Sequence, residues 1–140
     1  MLLHIVARGK IGRSPEADLV DRYVQRIGWP TRMTELPERS GKMPELPANS
    51  ITIVLDERGT ALSSTALASK LEAWRDSGKR EARFLIGAAD GHGEDLRRSA
   101  DLLLSFGPAT WPHLLVRAML AEQLFRSVSI LANHPYHREG

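Results

Sequence analysis

Cysteine is absent from the 140-residue sequence. Its absence excludes disulfide bonds and thiolate metal sites. Three of the five histidines, His113, His134 and His137, fall near the carboxyl end of the sequence. No carboxylate has a ligand's spacing beside them, so we expect no metal site. The apolar segment 1–7 is short and is followed by basic residues, unlike a signal peptide or a membrane span. We therefore expect a cytoplasmic protein that does not enter a membrane.

Common nucleotide-binding and hydrolase motifs are also missing. Gly87, Gly91 and Gly93 have the spacing G-x-x-x-G-x-G rather than G-x-G-x-x-G. No Gly-Lys-Ser/Thr follows them, which excludes a P-loop. The sequence lacks G-x-S-x-G and an ordered Ser-Asp-His set, which disfavours an α/β hydrolase. A glycine-rich turn after a strand is equally typical of a tight strand-to-helix turn, so it does not identify a ligand site by itself.

The composition is that of a globular protein. Hydrophobic residues make up 42% and charged residues 26% of the chain, which predicts one domain spanning residues 1–140. The net charge is only +2, but fifteen of the nineteen basic residues are arginine. Arginine binds phosphate with two hydrogen bonds and stacks on bases, although the codon bias of a GC-rich genome also favours it. One positive face would let such a protein reach RNA.

Strands and helices alternate along the chain. Apolar runs predict strands over 2–7, 31–36, 51–55, 83–86 and 101–104, and helical periodicity with capping residues predicts helices over 15–27, 64–78, 94–99 and 113–131. Residues 37–50 contain three prolines and predict an exposed connection. Asp56–Gly59 predict a turn out of the third strand. The pattern indicates an α/β fold with a mostly parallel sheet and helices on both faces.

In such a fold, ligands bind beyond the carboxyl ends of the strands. Three loops leave there, after Leu55, after Ile86 and after Leu104, and we expect them to converge on one ligand. The third loop contains Pro108 and Pro112. Because proline fixes the backbone, this loop presents its N–H and C=O groups at defined positions, which suits a planar, polar, adenine-like ligand.

The last predicted helix carries more apolar surface than one face requires. Its apolar positions are Leu114, Leu120, Leu124, Phe125, Val128 and Leu131. A helix that is apolar on more than one side is buried twice, here in the core and in a dimer interface. Arg117 is a candidate for binding a cofactor carboxylate or an RNA phosphate. Glu122 and Arg126, four residues apart, are expected to form a pair on the helix surface.

Several ordered sequence blocks resemble one family. The blocks are Val54–Gly59, Ala61–Ser64, Phe84–Gly87, Ala89–Gly91, Leu104–Phe106, Thr110–His113, Leu115–Arg117, Leu120–Leu124 and His134–Arg138. They resemble the RlmH family of ribosomal large-subunit methyltransferases in the SPOUT superfamily. The resemblance implies an α/β fold with a deep C-terminal trefoil knot, a homodimer and S-adenosylmethionine as methyl donor. It implies that the substrate is N3 of a pseudouridine in 23S rRNA, methylated on the ribosome.

The resemblance also assigns site residues. Its cofactor-binding positions match Leu55, Gly87, Phe106, Gly107, Pro108, Ala109, Thr110 and Trp111. An adenine would lie between the side chains of Leu55, Phe106 and Trp111, with loop backbone groups at its edge. Its catalytic and substrate-binding positions match Tyr136, His137 and Arg138. His113 is a further catalytic candidate from its place at the start of the last helix, where its ring either contacts a ligand or has only a structural role. Tyr136 would stack on a base and Arg138 would contact phosphate. The general base that takes the N3 proton stays open among His137, His113 and Arg58.

Two features depart from the family pattern. Residues 37–50 are too short and too rich in proline for the further helix that members often carry there, and Ala88 stands where the turn usually has a second glycine. The rival hypothesis is therefore a non-catalytic RNA-binding or ribosome-associated module with a degenerate cofactor pocket. Binding of S-adenosylmethionine separates the two.

Overall fold

The computed structural model describes residues 1–87 and 93–138, and its five strands form a single sheet. The strands are β1 (Leu2–Arg8), β2 (Thr31–Leu36), β3 (Ser50–Ala61), β4 (Glu81–Ile86) and β5 (Leu102–Ser105), and the helices are α1 (Pro15–Arg26), α2 (Ser64–Asp76), α3 (Glu94–Ser99) and α4 (His113–Leu131). The strand order is β2-β1-β4-β3-β5, and every neighbouring pair is parallel. The predicted parallel α/β sheet is confirmed. Most of the predicted glycine turn, residues 88–92, lies outside the described residues.

Local sequence signals set where the first two long helices begin. The Ser14 hydroxyl accepts a hydrogen bond from the backbone N–H of Ala17 at 3.1 Å, and Pro15 occupies the first helical position of α1. The Ser63 hydroxyl accepts from the backbone N–H of Ala66 at 3.1 Å, so Ser63 caps α2. Each cap satisfies an N–H that has no partner within its helix.

The two faces of the sheet are covered differently. On one face, Ile5, Ile53 and Phe84 belong to a buried core that includes Leu71 of α2 and Leu124 of α4, and α1 packs against α4. The opposite face has a smaller core in which α3 and the connection between β2 and β3 take part. The prediction of helices on both faces is confirmed, although the second face has only the short α3.

The predicted turn at Asp56–Gly59 is wrong, because these residues belong to the carboxyl half of β3. The strand continues to Ala61, and Leu104 of β5 pairs with both Leu55 and Thr60, so an irregularity lies between these two pairings. A Cβ atom on Gly59 would lie 2.6 Å from the backbone carbon and oxygen of Leu103. Only glycine fits such a close approach of two backbones. The polar residues of this segment are typical of a turn, but pairing with β5 overrides that local preference.

A buried polar cluster attaches the β2–β3 connection to the sheet. Glu81 Oε2 lies 3.1 Å from His4 Nδ1 and accepts from Arg83 Nε at 2.7 Å. His4 Nε2 lies 2.7 Å from Thr34 Oγ1. The Arg83 guanidinium also donates to the backbone carbonyls of residues 44–45, at 2.6 and 3.0 Å. The predicted exposed connection is thus held against the sheet at one point by a buried arginine.

Gly59→Ala should destabilise the protein by about 1–3 kcal/mol, because the added methyl group has no space beside the backbone of Leu103. Gly28→Ala is the matched control, since a Cβ there would meet only Val128 Cγ1, at an ordinary 3.7 Å. Urea denaturation measures both. Equal stability of the two variants would show that β3 and β5 do not approach this closely.

Lowering the pH should destabilise the protein through His4. Burial lowers the pKa of His4 below its ordinary 6.5, although its hydrogen bond to Glu81 opposes this shift. The unfolded chain therefore binds the proton more readily, and stability falls as the pH falls below 6.5. His4→Gln should reduce the slope of unfolding free energy against pH in that window. The same slope in both proteins would contradict the assignment.

Candidate functional site

The carboxyl ends of β4, β3 and β5 lie side by side, and the candidate site lies at this edge of the sheet. Val54 of β3 is in register with Leu85 of β4, and Leu55 is in register with Leu104 of β5. Each of these neighbours lies two residues before a predicted cofactor-binding residue, Gly87 in one loop and Phe106 in the other. Leu55 and Gly87 are buried, and Phe106 is half-buried. The structure thus places Leu55 between the ends of β4 and β5, although β3 continues past Leu55 and no loop begins there.

A hydrogen-bonded turn around Ser105 shapes the start of the proline loop. The Ser105 hydroxyl lies 2.8 Å from the Gly107 carbonyl oxygen and 3.2 Å from the Glu57 carbonyl oxygen, and it accepts from the Gly107 N–H at 3.0 Å. Gly107 has a φ of +105°, a conformation that suits glycine because it has no Cβ. The turn is therefore fixed to the irregular part of β3 before any ligand is present.

The tip of the loop is exposed but anchored. The Thr110 hydroxyl donates to Glu57 Oε2 at 2.8 Å, and Trp111 Nε1 donates to the Phe106 carbonyl at 3.3 Å. Pro108 and Ala109 are exposed. The Trp111 side chain keeps 42% of its surface exposed, so a fixed aromatic plane faces solvent beside the backbone of the loop. A planar ligand could stack on such a surface.

Glu57 is a site residue that the sequence did not indicate. Its carbonyl contacts the Ser105 hydroxyl, and its carboxylate accepts from Thr110, so one residue of β3 touches both ends of the loop. In sequence it is one charged residue in the polar run that predicts a turn. Only the continued pairing of β3 with β5, which is a tertiary feature, brings it to the loop.

The prediction that Arg117 binds a cofactor carboxylate or a phosphate is wrong. Its side chain is 1% exposed, and its guanidinium forms an ion pair with Glu35 at the end of β2. It also donates to the backbone carbonyls of Arg8 and Gly9, at 3.4 and 3.1 Å. The side chain points from α4 into the protein, where Glu35 balances its charge. Arg117 therefore fixes the first turns of α4 to the ends of β1 and β2.

The tail after α4 folds back along the helix. The Tyr136 ring lies 4.6 Å from the Phe125 ring, measured between centroids, and the Arg126 guanidinium lies 4.8 Å from the Tyr136 ring centroid. Arg126 Nη1 lies 3.1 Å from His137 Nδ1, and Arg126 Nε donates to Glu122 Oε1 at 2.6 Å. The expected Glu122–Arg126 pair is confirmed, and it also holds the tail. The tail is therefore packed against the last turns of α4.

The packing of the tail shifts the pKa values of Tyr136 and Arg126. Burial raises the pKa of the Tyr136 phenol, and the Glu122 carboxylate raises the pKa of the Arg126 guanidinium. Tyr136 therefore keeps its hydroxyl proton and Arg126 keeps its charge at neutral pH. Arg138 is exposed.

The predicted catalytic residues fall in two places. His113 begins α4 next to the proline loop, whereas Tyr136 and His137 lie beside Phe125 and Arg126. An α-helix rises about 1.5 Å per residue, so these two places are about 20 Å apart along the axis of α4. Within one chain, the structure does not bring His113 together with the tail.

Searches for metal sites and membrane spans cover the described residues only. Within residues 1–87 and 93–138, no group of three or more His, Asp or Glu side chains could hold a metal ion. None of the helices in the same residues is long and apolar enough to cross a membrane.

Comparisons with known proteins agree on one family. The family model described as "Predicted SPOUT methyltransferase" matches residues 1–137. The chain is 68% identical to the ribosomal RNA large subunit methyltransferase H of Rhizorhabdus wittichii over 140 residues, covering 100% of both chains. It is 66% identical to the protein of that name from Novosphingobium aromaticivorans, again covering 100% of both chains.

A solved structure supports the fold alone. It is that of a probable methylase family protein from Haemophilus influenzae Rd KW20, with a TM-score of 0.64 at 12% sequence identity, covering 98% of this chain and 70% of that one. The parallel sheet, the loop at its carboxyl edge and the full-length relatives lead to one conclusion. The chain belongs to the SPOUT methyltransferases and, within them, to the ribosomal RNA large subunit methyltransferase H (RlmH) family.

Proposed function

We propose that this protein is a methyltransferase that uses S-adenosylmethionine to methylate N3 of a pseudouridine in 23S rRNA. The reaction takes place on the ribosome in the cytoplasm, and residues 1–140 act as one domain. The observation that carries the proposal is the anchored 105–112 loop, with its exposed indole, at the carboxyl edge of the sheet. Parallel α/β folds bind their ligands at that edge.

The residues at this edge fit the cofactor. Trp111 offers an aromatic plane for the adenine, Phe106 and Leu55 offer apolar surface, and backbone groups of 107–110 can contact the ring edge. Since Ser105 and Thr110 already fix the loop, little conformational entropy is lost on binding. When bound, the sulfonium group supplies an activated methyl group with a neutral thioether as its leaving group.

A trefoil knot would explain the close approach of β3 and β5 beside this loop. We propose that the carboxyl half of β3 passes across β5 and that the chain following β5 threads through the resulting loop into α4. The approach of Gly59 to Leu103 supports this, as does the pairing of both Leu55 and Thr60 with Leu104.

The target pseudouridine must lose its N3 proton to a general base while the new N–CH₃ bond forms. A guanidinium can only donate hydrogen bonds, so His137 Nδ1, 3.1 Å from Arg126 Nη1, acts as an acceptor there and is already occupied. The positive charges of Arg58 and Arg138 can favour the deprotonated base electrostatically. This leaves His113 as our candidate for the general base.

A homodimer would bring the two halves of the site together. The tail of one chain lies about 20 Å along α4 from its own His113, so we propose that it completes the site of the partner chain. Leu114, Leu115 and Met119, on the first half of α4, stay partly exposed in the single chain. Covering this apolar surface would favour association at the place where the second tail is needed.

Trp111→Ala should weaken binding of S-adenosylmethionine by about 1–3 kcal/mol, roughly 5- to 150-fold in Kd, because the stacking plane is lost. Isothermal titration calorimetry measures this. Leu46→Ala is the control, because Leu46 is similarly exposed, at 44% against 42%, on the β2–β3 connection. Unchanged affinity in folded Trp111→Ala would contradict the pocket, and a wild-type protein that binds no cofactor would favour the non-catalytic RNA-binding module.

Deleting residues 134–140 should abolish methyl transfer to ribosomes and leave cofactor affinity nearly intact. The pocket loops all lie before α4, whereas the tail supplies Tyr136, His137 and Arg138 for the base and its phosphate. Mixing the deletion variant with Trp111→Ala should restore activity, because each hybrid dimer has one complete site. About half of the dimers would be hybrids, which gives about a quarter of wild-type activity.

Two results would contradict this arrangement. Full transfer by the deletion variant would show that the tail has no role. A stable 15.6 kDa species in sedimentation at micromolar concentration would show that the wild-type chain does not form the dimer on which the complete site depends.

A further inference from the structure

The loops after β1 and β2 carry concentrated positive charge. Residues 8–13 and 37–42 together hold five basic residues and one acidic residue, Glu38. The whole chain has a net charge of only +2, so this region is far more basic than the rest. We call it the cationic ledge, and its basic residues are Arg8, Lys10, Arg13, Arg39 and Lys42.

Hydrogen bonds join the two loops of the ledge. The Arg8 guanidinium donates to the backbone carbonyl of Pro37 at 3.1 Å and to that of Ser40. The Gly9 N–H donates to the Leu36 carbonyl at 2.7 Å. Arg8 is thus held by neutral carbonyl groups rather than by a carboxylate. Its charge stays available to a ligand while its position is fixed.

The carboxylate of Glu35, at the end of β2, is paired with other groups. Glu35 forms an ion pair with buried Arg117. It also accepts a hydrogen bond from the Ile11 N–H at 2.9 Å, and this bond holds the loop after β1 against the end of β2. Among the ion pairs between residues that the structure describes, none uses a cation of the ledge. Lys10, Arg13, Arg39 and Lys42 are exposed. The five cations of the ledge therefore form no ion pair within the described residues.

The ledge borders the candidate cofactor site. β1 lies next to β4 in the sheet, with Ala7 in register with Ile86, so the loop after β1 begins beside Gly87. The carboxyl edge therefore has two parts: the cofactor loops after β4, β3 and β5, and the ledge after β1 and β2. If one nucleotide of an RNA strand enters the site formed by the cofactor loops, the neighbouring nucleotides of that strand would lie across the ledge.

We propose that the cationic ledge binds backbone phosphates of the rRNA that flank the target nucleotide. This inference rests on the proposed function and assigns the surface by which that substrate is positioned. Phosphate contacts fix the register of a nucleic acid without reading its bases. A preformed ledge suits this role because its loops lose little freedom on binding.

Lys10→Gln/Arg13→Gln tests the ledge, and Lys79→Gln/Arg80→Gln is the matched control. The control removes two charges just before β4, at the opposite edge of the sheet. Ribosome affinity is measured over a range of salt concentrations, with kcat and the Kd of S-adenosylmethionine measured in parallel. The ledge variant should bind ribosomes about tenfold more weakly at low salt, and the slope of log affinity against log salt should fall by roughly one per lost contact. Its kcat at saturating ribosomes and its cofactor Kd should not change.

The outcomes separate the ledge from the proposed function. Wild-type ribosome affinity and salt slope in the ledge variant, or an equal loss in the control, would overturn the ledge even if the wild-type protein transfers methyl groups. If the wild-type protein transfers none but the ledge variant alone loses RNA affinity, the ledge stands and the proposed reaction fails. Loss of binding only to vesicles of anionic lipid would assign the ledge to a membrane surface and overturn the proposal.

Discussion

The contact between the carboxyl half of β3 and β5 is the constraint on which the candidate site depends. Gly59 approaches the backbone of Leu103 so closely that a side chain is not tolerated, and Leu104 pairs with β3 on both sides of the irregular segment. This approach brings Glu57 to the loop that follows β5, where it holds both Ser105 and Thr110. The pairing of β3 with β5 thus shapes the loop that would hold the cofactor, because Glu57 of β3 contacts both Ser105 and Thr110.

Helix α4 links that loop to the rest of the molecule. Buried Arg117 fixes its beginning to the ends of β1 and β2 through Glu35, and Arg126 holds the tail near its end. The same helix therefore sets the position of the ledge and of the tail relative to the cofactor loops. Its length also separates His113 from His137, so a site that needs both requires a second chain.

Most of the elements were predictable because their signals are local. The apolar runs of β1 and β4 predict buried strands, and Ser14 and Ser63 cap helices by contacts within three residues. The errors come from partners that are distant in sequence. Asp56–Gly59 is polar enough to predict a turn, but pairing with β5 keeps it in a strand. From sequence, Arg117 has the properties of a phosphate-binding residue. In the structure its charge is balanced by Glu35, which is 82 residues away in the chain. The position of the loop residues followed from the family resemblance and strand ends, whereas Glu57 required the structure.

The central claim is that this chain methylates a pseudouridine of the large subunit, and nucleoside mapping tests it most directly. Mass spectrometry compares the modifications of 23S rRNA fragments in three strains: the wild type, a strain from which the gene is deleted, and the deletion strain carrying a wild-type copy of the gene. The claim predicts that a single pseudouridine loses one N3-methyl group without the gene and regains it with the wild-type copy. Identical 23S rRNA modification in all three strains would contradict it.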